Sequence, residues 1–308
     1  MNSHTNCALH RFACLTAAAT YLLIAAGASV TSNRAGLAVP DWPTTYGQFM
    51  FSFPYSKWVG NIFWEHGHRL IASTVGILTI ILALWLVRCE PRRWVRRLGI
   101  GALAAVIAQG ILGGLTVQFL LPPAISIAHA ALAQAFFCMT VALAVATSPK
   151  WREAHPGIET SGAGTMRLLA GATTIAIYVQ LILGASVRHS AEGVIAHIIG
   201  AVGVTGCIGC LVVFVFRNVP LGEFTVPATI LAALVGAQSA LGLATLAVYV
   251  PKHAPGQLTL VQIVLPTIHL AVGALILVTS LMMTLKSFRH LAATKNSGPV
   301  PLVTGAVL

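Results

Sequence analysis

Residues 65–88 read EHGHRLIASTVGILTIILALWLVR, and no residue between Arg69 and Arg88 carries a charge. An apolar run of about 20 residues is long enough for a helix to cross the hydrocarbon core of a bilayer. Runs of this kind occur at approximately 12–32, 65–88, 98–120, 124–147, 167–188, 193–216, 226–250 and 260–285. The 308-residue chain is therefore predicted to form eight transmembrane helices.

The composition excludes most classes of soluble protein. Hydrophobic residues make up 57% of the chain and charged residues 8%, and the mean hydropathy is +0.85. A soluble domain carries roughly 25% charged residues, so a cytosolic enzyme and a disordered chain are both excluded. None of the runs alternates between polar and apolar residues as the strands of a membrane barrel do. The predicted fold class is an all-α membrane protein.

The net charge of +11 does not indicate a nucleic-acid partner, because the basic residues lie in short breaks between apolar runs. With a cytoplasmic N-terminus, thirteen basic residues fall inside: Arg11, Arg88, Arg92, Arg93, Arg96, Arg97, Lys150, Arg152, Arg167, Arg217, Lys286, Arg289 and Lys295. Five fall outside: Arg34, Lys57, Arg69, Arg188 and Lys252. The positive-inside rule then places both termini in the cytoplasm. Only about eleven residues precede the first run, too few for a mitochondrial transit peptide, which favours a bacterial plasma membrane.

Short motifs recur along the chain. The third, fifth and seventh runs each contain Gln-x-x-x-Gly, at Gln109–Gly113, Gln180–Gly184 and Gln238–Gly242. The first run lacks this glutamine, but its Gly27-Ala-Ser-Val30 recurs as Gly184-Ala-Ser-Val187. The even-numbered runs each carry a histidine in their outer half, at His68, His129, His197 and His269. This pattern predicts two pseudo-repeated four-helix bundles, 1–147 and 167–308, joined by a cytoplasmic linker at 148–166.

The four repeated histidines are candidate iron ligands. Polar side chains at membrane depth are costly and usually functional, and the second and fourth helices of an up-down bundle face each other across its core. Two imidazoles there can ligate one iron from opposite faces of a planar macrocycle, and the repeated glycines would leave room for a porphyrin edge. The alternative is that the histidines bond to neighbouring helices and the glycines serve helix packing. The repetition favours bis-histidine haem binding.

Glu65 distinguishes the two halves. Glu65 and His68 are three residues apart and share a helix face, whereas His66 points about 200° away from His68. The position three before His197 is Val194, so only the N-terminal half has a carboxylate at this place. We therefore predict chemistry at the N-terminal site and a bound cofactor at the C-terminal site. The alternative is that Glu65 only complements the dipole of its helix.

The outer segment 33–63 is long for a membrane connection. Residues 42–64 hold nine of the 23 aromatic residues: Trp42, Tyr46, Phe49, Phe51, Phe53, Tyr55, Trp58, Phe63 and Trp64. These aromatics are typical of an interfacial belt, or they form a lid over a hydrophobic ligand at the N-terminal site.

Several stretches resemble the haem A synthase family, membrane enzymes that convert haem O to haem A for terminal oxidases. They are Ala35–Pro43, Glu65-x-x-His68-Arg69, Gln109–Val117, Gln180–His189 and the four helix histidines, which together cover about 20–285. The sequence departs from some members at Thr44 and Thr45, where those members carry a cysteine pair nearby, and the loop before His197 is short.

The resemblance implies stepwise oxidation of a haem methyl group to a formyl group, through an alcohol. It implies that His68 and His129 bind the substrate haem O, that His197 and His269 bind a haem b cofactor, and that Glu65 is the essential carboxylate. Arg69 is a candidate contact for a haem propionate. The expected partners are an unidentified electron donor or acceptor, haem O synthase, oxidase assembly factors and membrane lipid.

Two other functions fit part of the pattern. A non-catalytic di-haem b electron carrier would explain the four histidines but not Glu65 or the asymmetry between halves. A transporter or haem-handling assembly factor is the second, although the scarcity of charge within the membrane runs argues against an ion-coupled transporter.

Overall fold

The computed structural model describes residues 3–153, 157–160, 162–219, 222–248 and 257–293. The helices are α1 (Ser3–Ser32), α2 (Asn61–Cys89), α3 (Arg93–Gln118), α4 (Pro123–Thr147), α5 (Pro149–Arg152), α6 (Ala163–Ser190), α7 (Val194–Asn218), α8 (Thr225–Ala247) and α9 (Leu260–His290). All of these except the single-turn α5 are long and apolar enough to cross a membrane. The prediction of an all-α protein with eight spanning helices is confirmed.

One pair of strands departs from the all-α pattern within the described residues. Strand β1 (Ile158–Thr160) pairs in parallel with β2 (Leu291–Ala293), with Ile158 opposite Leu291. This pair ties the segment after α5 to the end of α9. Among the predicted features, positions 249–250 of the seventh run, Lys252 and Lys295 lie outside the described residues, as does 294–308 of the second bundle.

Helix ends follow local sequence signals. Thr259 and Gln262 form a reciprocal capping box before α9, because the Thr259 hydroxyl accepts from the Gln262 N–H and the Gln262 side chain accepts from the Thr259 N–H. The turn between α6 and α7 needs two left-handed residues, Ala191 and Gly193, with φ of 60° and 80°. Glycine adopts that conformation without steric cost. This tight turn places His197 in the first turn of α7.

The spanning helices pack in two groups. In the first group, α1 and α3 each contact both α2 and α4, and in the second, α6 and α8 each contact both α7 and α9. This order sets α2 across from α4 and α7 across from α9. The groups meet where α9 contacts α1 and α4 and where α4 contacts α6, around Ile24, Phe137, Ala274 and Val278. The internal sequence repeat and the domain boundaries stay predictions.

Candidate functional site

Each of the four repeated histidines lies against a glycine of the preceding spanning helix. A Cβ atom built on the glycine would lie 3.0–3.4 Å from the histidine Cε1 in the pairs Gly27–His68, Gly113–His129, Gly184–His197 and Gly242–His269. Contacts this short are tighter than side chains normally make. The glycines therefore seat the edge of an imidazole ring. The expectation that these glycines leave room for a porphyrin edge stays a prediction.

The structure brings the predicted histidines together in two pairs. The ring centroids of His197 and His269 are 6.3 Å apart, with the ring planes at 79°. Imidazole–metal bonds of about 2 Å would put the centroids of two rings on one metal roughly 6 Å apart. The C-terminal pair is therefore spaced to share a ligand. In the other half, His68 and His129 belong to α2 and α4, which lie across from each other in the first helix group.

Hydrogen bonding leaves one ring nitrogen unpaired in three of these histidines, among the described residues. The Nδ1 atoms of His68, His129 and His269 are buried and have no hydrogen-bond partner among the described residues. A packing histidine would be expected to bond to a neighbouring helix, and an unpaired buried polar atom is costly. The orphaned nitrogens and the glycine cradles fit histidines that ligate iron better than histidines that only pack.

The glutamines of the Gln-x-x-x-Gly motif reach the same histidines. The amide of Gln109 donates to the His129 carbonyl at 2.9 Å, and that of Gln180 donates to the His197 carbonyl at 2.8 Å. The Gln180 nitrogen also lies 2.9 Å from Nδ1 of His197. Since residues four apart share a helix face, each motif presents an amide and a glycine to one histidine. The motif is visible in the sequence, but its contacts with the histidines are visible only in the structure.

The histidine seats are not equivalent. The Gln238 nitrogen lies 3.3 Å from Nε2 of His269, so this seat also has an amide. The position four before Gly27 is Leu23, and the seat of His68 therefore has an apolar residue in place of the amide. Instead, His68 has Glu65 and Arg69 as neighbours in its own helix. The carboxylate neighbour, Glu65, thus belongs to the N-terminal pair.

Glu65 lies at the junction between α2 and the outer segment. Its side chain is buried, with the residue only 4% exposed. One carboxylate oxygen accepts from Arg69 at 2.7 Å, and the other accepts from the Val39 N–H at 2.8 Å. Glu65 therefore does more than complement a helix dipole, because it bonds to the outer segment directly through Val39 and indirectly through Arg69, which itself donates to that segment.

The terminal N–H groups of Arg69 all bond to other groups of the protein. Its two terminal nitrogens donate to the carbonyls of Val39, Asp41 and Thr44 at 2.7–3.1 Å, in addition to Glu65. Two terminal nitrogens carry four N–H groups, so all four are engaged. The contact of Arg69 with a haem propionate stays a prediction. A buried guanidinium needs its donors satisfied locally, and Arg69 is a positioning residue for the outer segment and Glu65.

The outer segment covers the ends of α2 and α3. Trp42 packs directly against Gly114 of α3, where an added Cβ would lie 2.5 Å from its ring. His66 is fully buried beneath it, with ring centroids 5.0 Å from Phe53 and 4.6 Å from Trp58, and Nδ1 3.1 Å from the Thr45 hydroxyl. His66 thus turns toward the outer segment, as its helical angle predicts.

The nine aromatics of this segment differ in their exposure. Phe53 is buried in this covering layer, whereas Phe49, Phe51 and Tyr55 are exposed, as a belt requires. Asp41 fixes the intervening turn: it accepts from the N–H groups of Tyr46 and Gly47. Burial raises the pKa of Asp41, but these bonds and one from Thr44 outweigh it and hold the pKa below its usual value. The carboxylate therefore stays ionised and keeps the turn closed.

Arg188 lies in the last turn of α6, with its Nε buried. From the sequence it was expected only to be one of the basic residues on the outer side. It extends from α6 and donates to the Ala28 carbonyl and the Ser32 hydroxyl of α1, both at 2.6 Å, and to the Pro266 carbonyl of α9 at 3.4 Å. It therefore joins the two helix groups close to His269. Its position inside an apolar run, directly after Gly184-Ala-Ser-Val187, was the signal that could have identified it.

Gly184→Ala is expected to weaken haem binding in the C-terminal half. The added methyl would lie 3.0 Å from Cε1 of His197, so the imidazole must shift. Overpacking of this kind costs about 1–3 kcal/mol, or roughly 5–150-fold in affinity. The haem b content per protein and its titration measure the effect. Gly171→Ala on the same helix is the control, because no atom lies within 4 Å of its added Cβ. Equal binding by both variants would contradict the seating role.

The sequence around these residues matches a known protein family. The profile of a family described as cytochrome oxidase assembly protein (COX15-CtaA) matches residues 10–203. The matched range contains Glu65, His68, His129 and His197, whereas His269 lies beyond it.

Individual relatives agree with the family match. The chain is similar to a heme A synthase of Symbiobacterium thermophilum, at 28% identity over 187 residues, and to one of Shouchella clausii, at 29% over 187 residues. Each alignment covers 59% of this chain and 60% of the relative. A heme A synthase of a Methylobacterium species is 30% identical over 139 residues, 42% of this chain and 39% of the relative. The matched part thus spans about three-fifths of the length of the first two relatives and about two-fifths of the third.

Proposed function

The chain belongs to the COX15-CtaA family of cytochrome oxidase assembly proteins, and from this premise we propose that it is a haem A synthase. The proposed reaction oxidises a methyl group of haem O to a formyl group, which yields haem A for terminal oxidase biogenesis. The observation that carries the proposal is the presence of two histidine pairs, of which only one has a buried carboxylate beside it.

In the N-terminal half, residues 1–147, His68 and His129 would hold the substrate haem O. Glu65 would act on it, since it lies one helical turn before His68 and is buried. A positioned carboxylate can accept a proton or stabilise a developing positive charge at a reacting carbon. Arg69 holds this carboxylate in its orientation through their 2.7 Å bond. The outer segment above it would exclude water from the site.

In the C-terminal half, residues 167–308, His197 and His269 would hold a haem b cofactor, which supplies electron transfer when bound. Their glycine seats and the contacts from Gln180 and Gln238 orient both rings. Partners that set the orientation of a ligating histidine typically change metal affinity 10–100-fold. The Val194 position has no carboxylate, which is consistent with a site that carries electrons and does not act on a methyl group.

The membrane setting supports the same proposal. The bacterial relatives and eight spanning helices fit a multi-pass protein of a bacterial plasma membrane. We place both termini in the cytoplasm, since the arginines at the start of α3 and Arg289 at the end of α9 lie at one end of the helices. The proposed partners are haem O as substrate, an electron donor or acceptor, haem O synthase, oxidase assembly factors and membrane lipid.

Haem extraction from the purified protein tests this function. A haem A synthase is expected to show a Soret absorbance and to release haem b together with haem O, haem A or a hydroxylated intermediate. Chromatography of the extracted haems separates these species. A protein that contains haem b alone, even when produced in cells that make haem O, would be an electron carrier, and the proposed activity would be wrong.

A further inference from the structure

A second polar site lies at the opposite end of the helices from the histidines. It is a pocket of about 470 Å³ where α2 ends, α3 begins and the last turn of α9 meets α5. Its walls include three arginines, two tryptophans and one glutamate: Arg92, Arg152, Arg289, Trp94, Trp151 and Glu90. Glu90 is 22 residues from His68, roughly 33 Å along a helix, so the pocket is separate from both histidine pairs.

Glu90 organises two of these arginines. It is only 2% exposed, and its carboxylate accepts from Nε of Arg92 at 2.7 Å and from a terminal nitrogen of Arg152 at 2.7 Å. Burial raises the pKa of Glu90, but the bonds from Arg92 and the charges of both arginines outweigh it and hold the pKa below its usual value. An ionised Glu90 therefore fixes Arg92 and Arg152 on either side of one carboxylate.

The third arginine completes a positively charged wall. Arg289 donates to the carbonyls of Trp151 and Glu153 at 3.2 and 3.1 Å, and its guanidinium lies 5.9 Å from the centre of the Trp151 ring. No carboxylate pairs with Arg289 among the described ion pairs. Three guanidinium groups against one carboxylate leave the pocket with a formal charge of about +2.

The arginines and tryptophans of this pocket favour a ligand that carries a phosphate group. Guanidinium groups arranged side by side bind phosphate oxygens well, because their planar N–H groups match the geometry of the anion. Trp94 is 50% exposed beside Arg92, whose guanidinium lies 5.7 Å from the centre of the Trp94 ring. Exposed tryptophans mark the headgroup level of a membrane, and basic pockets between transmembrane helices bind lipid headgroups.

We propose that the pocket bounded by Arg92, Arg152 and Arg289 binds a phosphate group, with an anionic phospholipid as its source at the membrane surface. A bound headgroup would bridge the end of the first helix group, through Arg92, to the end of the second, through Arg289. The pocket therefore joins the two halves at the end remote from their histidines. Inorganic phosphate is the other source of the same chemistry, and the test separates the two.

The test is native mass spectrometry of the full-length protein in detergent, with phosphatidylglycerol or phosphatidylcholine added. Wild type is expected to retain phosphatidylglycerol preferentially, and Arg289→Gln to retain it at least about fivefold less, since one arginine near a membrane surface contributes about a fivefold change in lipid affinity. Arg217→Gln is the matched control, because Arg217 is an exposed arginine in the last turn of α7 outside the pocket. It is expected to retain the lipid as wild type does.

A second arm adds inorganic phosphate at millimolar concentration. Failure of phosphate to displace the lipid identifies a phospholipid site, whereas displacement, or binding of phosphate that Arg289→Gln abolishes, identifies a soluble phosphate. Both results support the pocket. Equal loss in Arg289→Gln and Arg217→Gln would overturn it, as would a wild type that retains phosphatidylcholine equally well or binds neither probe. A wild type without a preference for phosphatidylglycerol overturns the proposal even if Arg289→Gln does not fold.

Discussion

Glu65→Gln is expected to lower haem A production by about 10²–10⁴-fold, the range typical for loss of a general acid or base. Glutamine preserves the size of the side chain, and its carbonyl oxygen can still accept from the Val39 N–H, which lies 2.8 Å from the carboxylate. What it removes is the charge and the proton acceptor beside His68. Haem O or a hydroxylated intermediate should accumulate in the N-terminal site, and extraction with chromatography measures both.

The structure requires a control for the second role of Glu65, which is to hold the outer segment. Asp41→Asn weakens the same segment through its bonds to the Tyr46 and Gly47 N–H groups but leaves Glu65 and Arg69 in place. If Glu65 acts on the substrate, Asp41→Asn should retain far more activity than Glu65→Gln.

Two results would contradict a catalytic role for Glu65. Near-normal haem A production by a folded Glu65→Gln protein would leave only a structural contribution, for which a lost dipole contact costs about 0.3–1 kcal/mol. Equal losses in the Glu65 and Asp41 variants would assign the effect to the outer segment. Proteolysis of residues 39–47 in each variant reports whether the segment has loosened.

His269→Ala is expected to abolish stable binding of haem b. The ring centroids of His269 and His197 are 6.3 Å apart, and under the proposed function the substitution would remove one of the two histidines that hold the haem. Loss of a residue that only orients a ligand costs 10–100-fold in metal affinity, so loss of the ligand itself should cost more than about 100-fold. Haem b content and the Soret spectrum measure this directly, and His197→Ala should behave in the same way.

A histidine elsewhere in the membrane helices provides the control. His10 of α1 has its own partner, the Ala144 carbonyl at 3.0 Å, and lies at the other end of the helices. His10→Asn should keep the haem b content of wild type. If His269→Ala and His197→Ala both retain normal haem b, the assignment of these ligands is wrong. Haem O bound at His68 and His129 should survive in the His269 variant, since that pair lies in the other helix group.

The helices and the candidate ligands could be predicted from the sequence because both depend on short-range order. A run of apolar residues long enough to cross the bilayer must satisfy its backbone hydrogen bonds within itself, and a helix does so without any partner. Helical periodicity alone also places Glu65 on the face of His68 and turns His66 away from it. The contact of each repeated histidine with a glycine of the preceding helix, in contrast, depends on how neighbouring helices pack.

The role of each side chain was decided by contacts between residues far apart in the chain. Arg69 had the charge of a propionate ligand, but carbonyls 25–30 residues earlier use its terminal donors. Arg188 meets Ala28 across 160 positions, and Arg152 meets Glu90 across 62. The sequence by itself determined that this protein is a bundle of eight membrane helices with four repeated histidines and one distinctive carboxylate, Glu65. Tertiary structure decided which polar groups are already satisfied, because in a medium without water every buried donor needs a partner that only packing can supply.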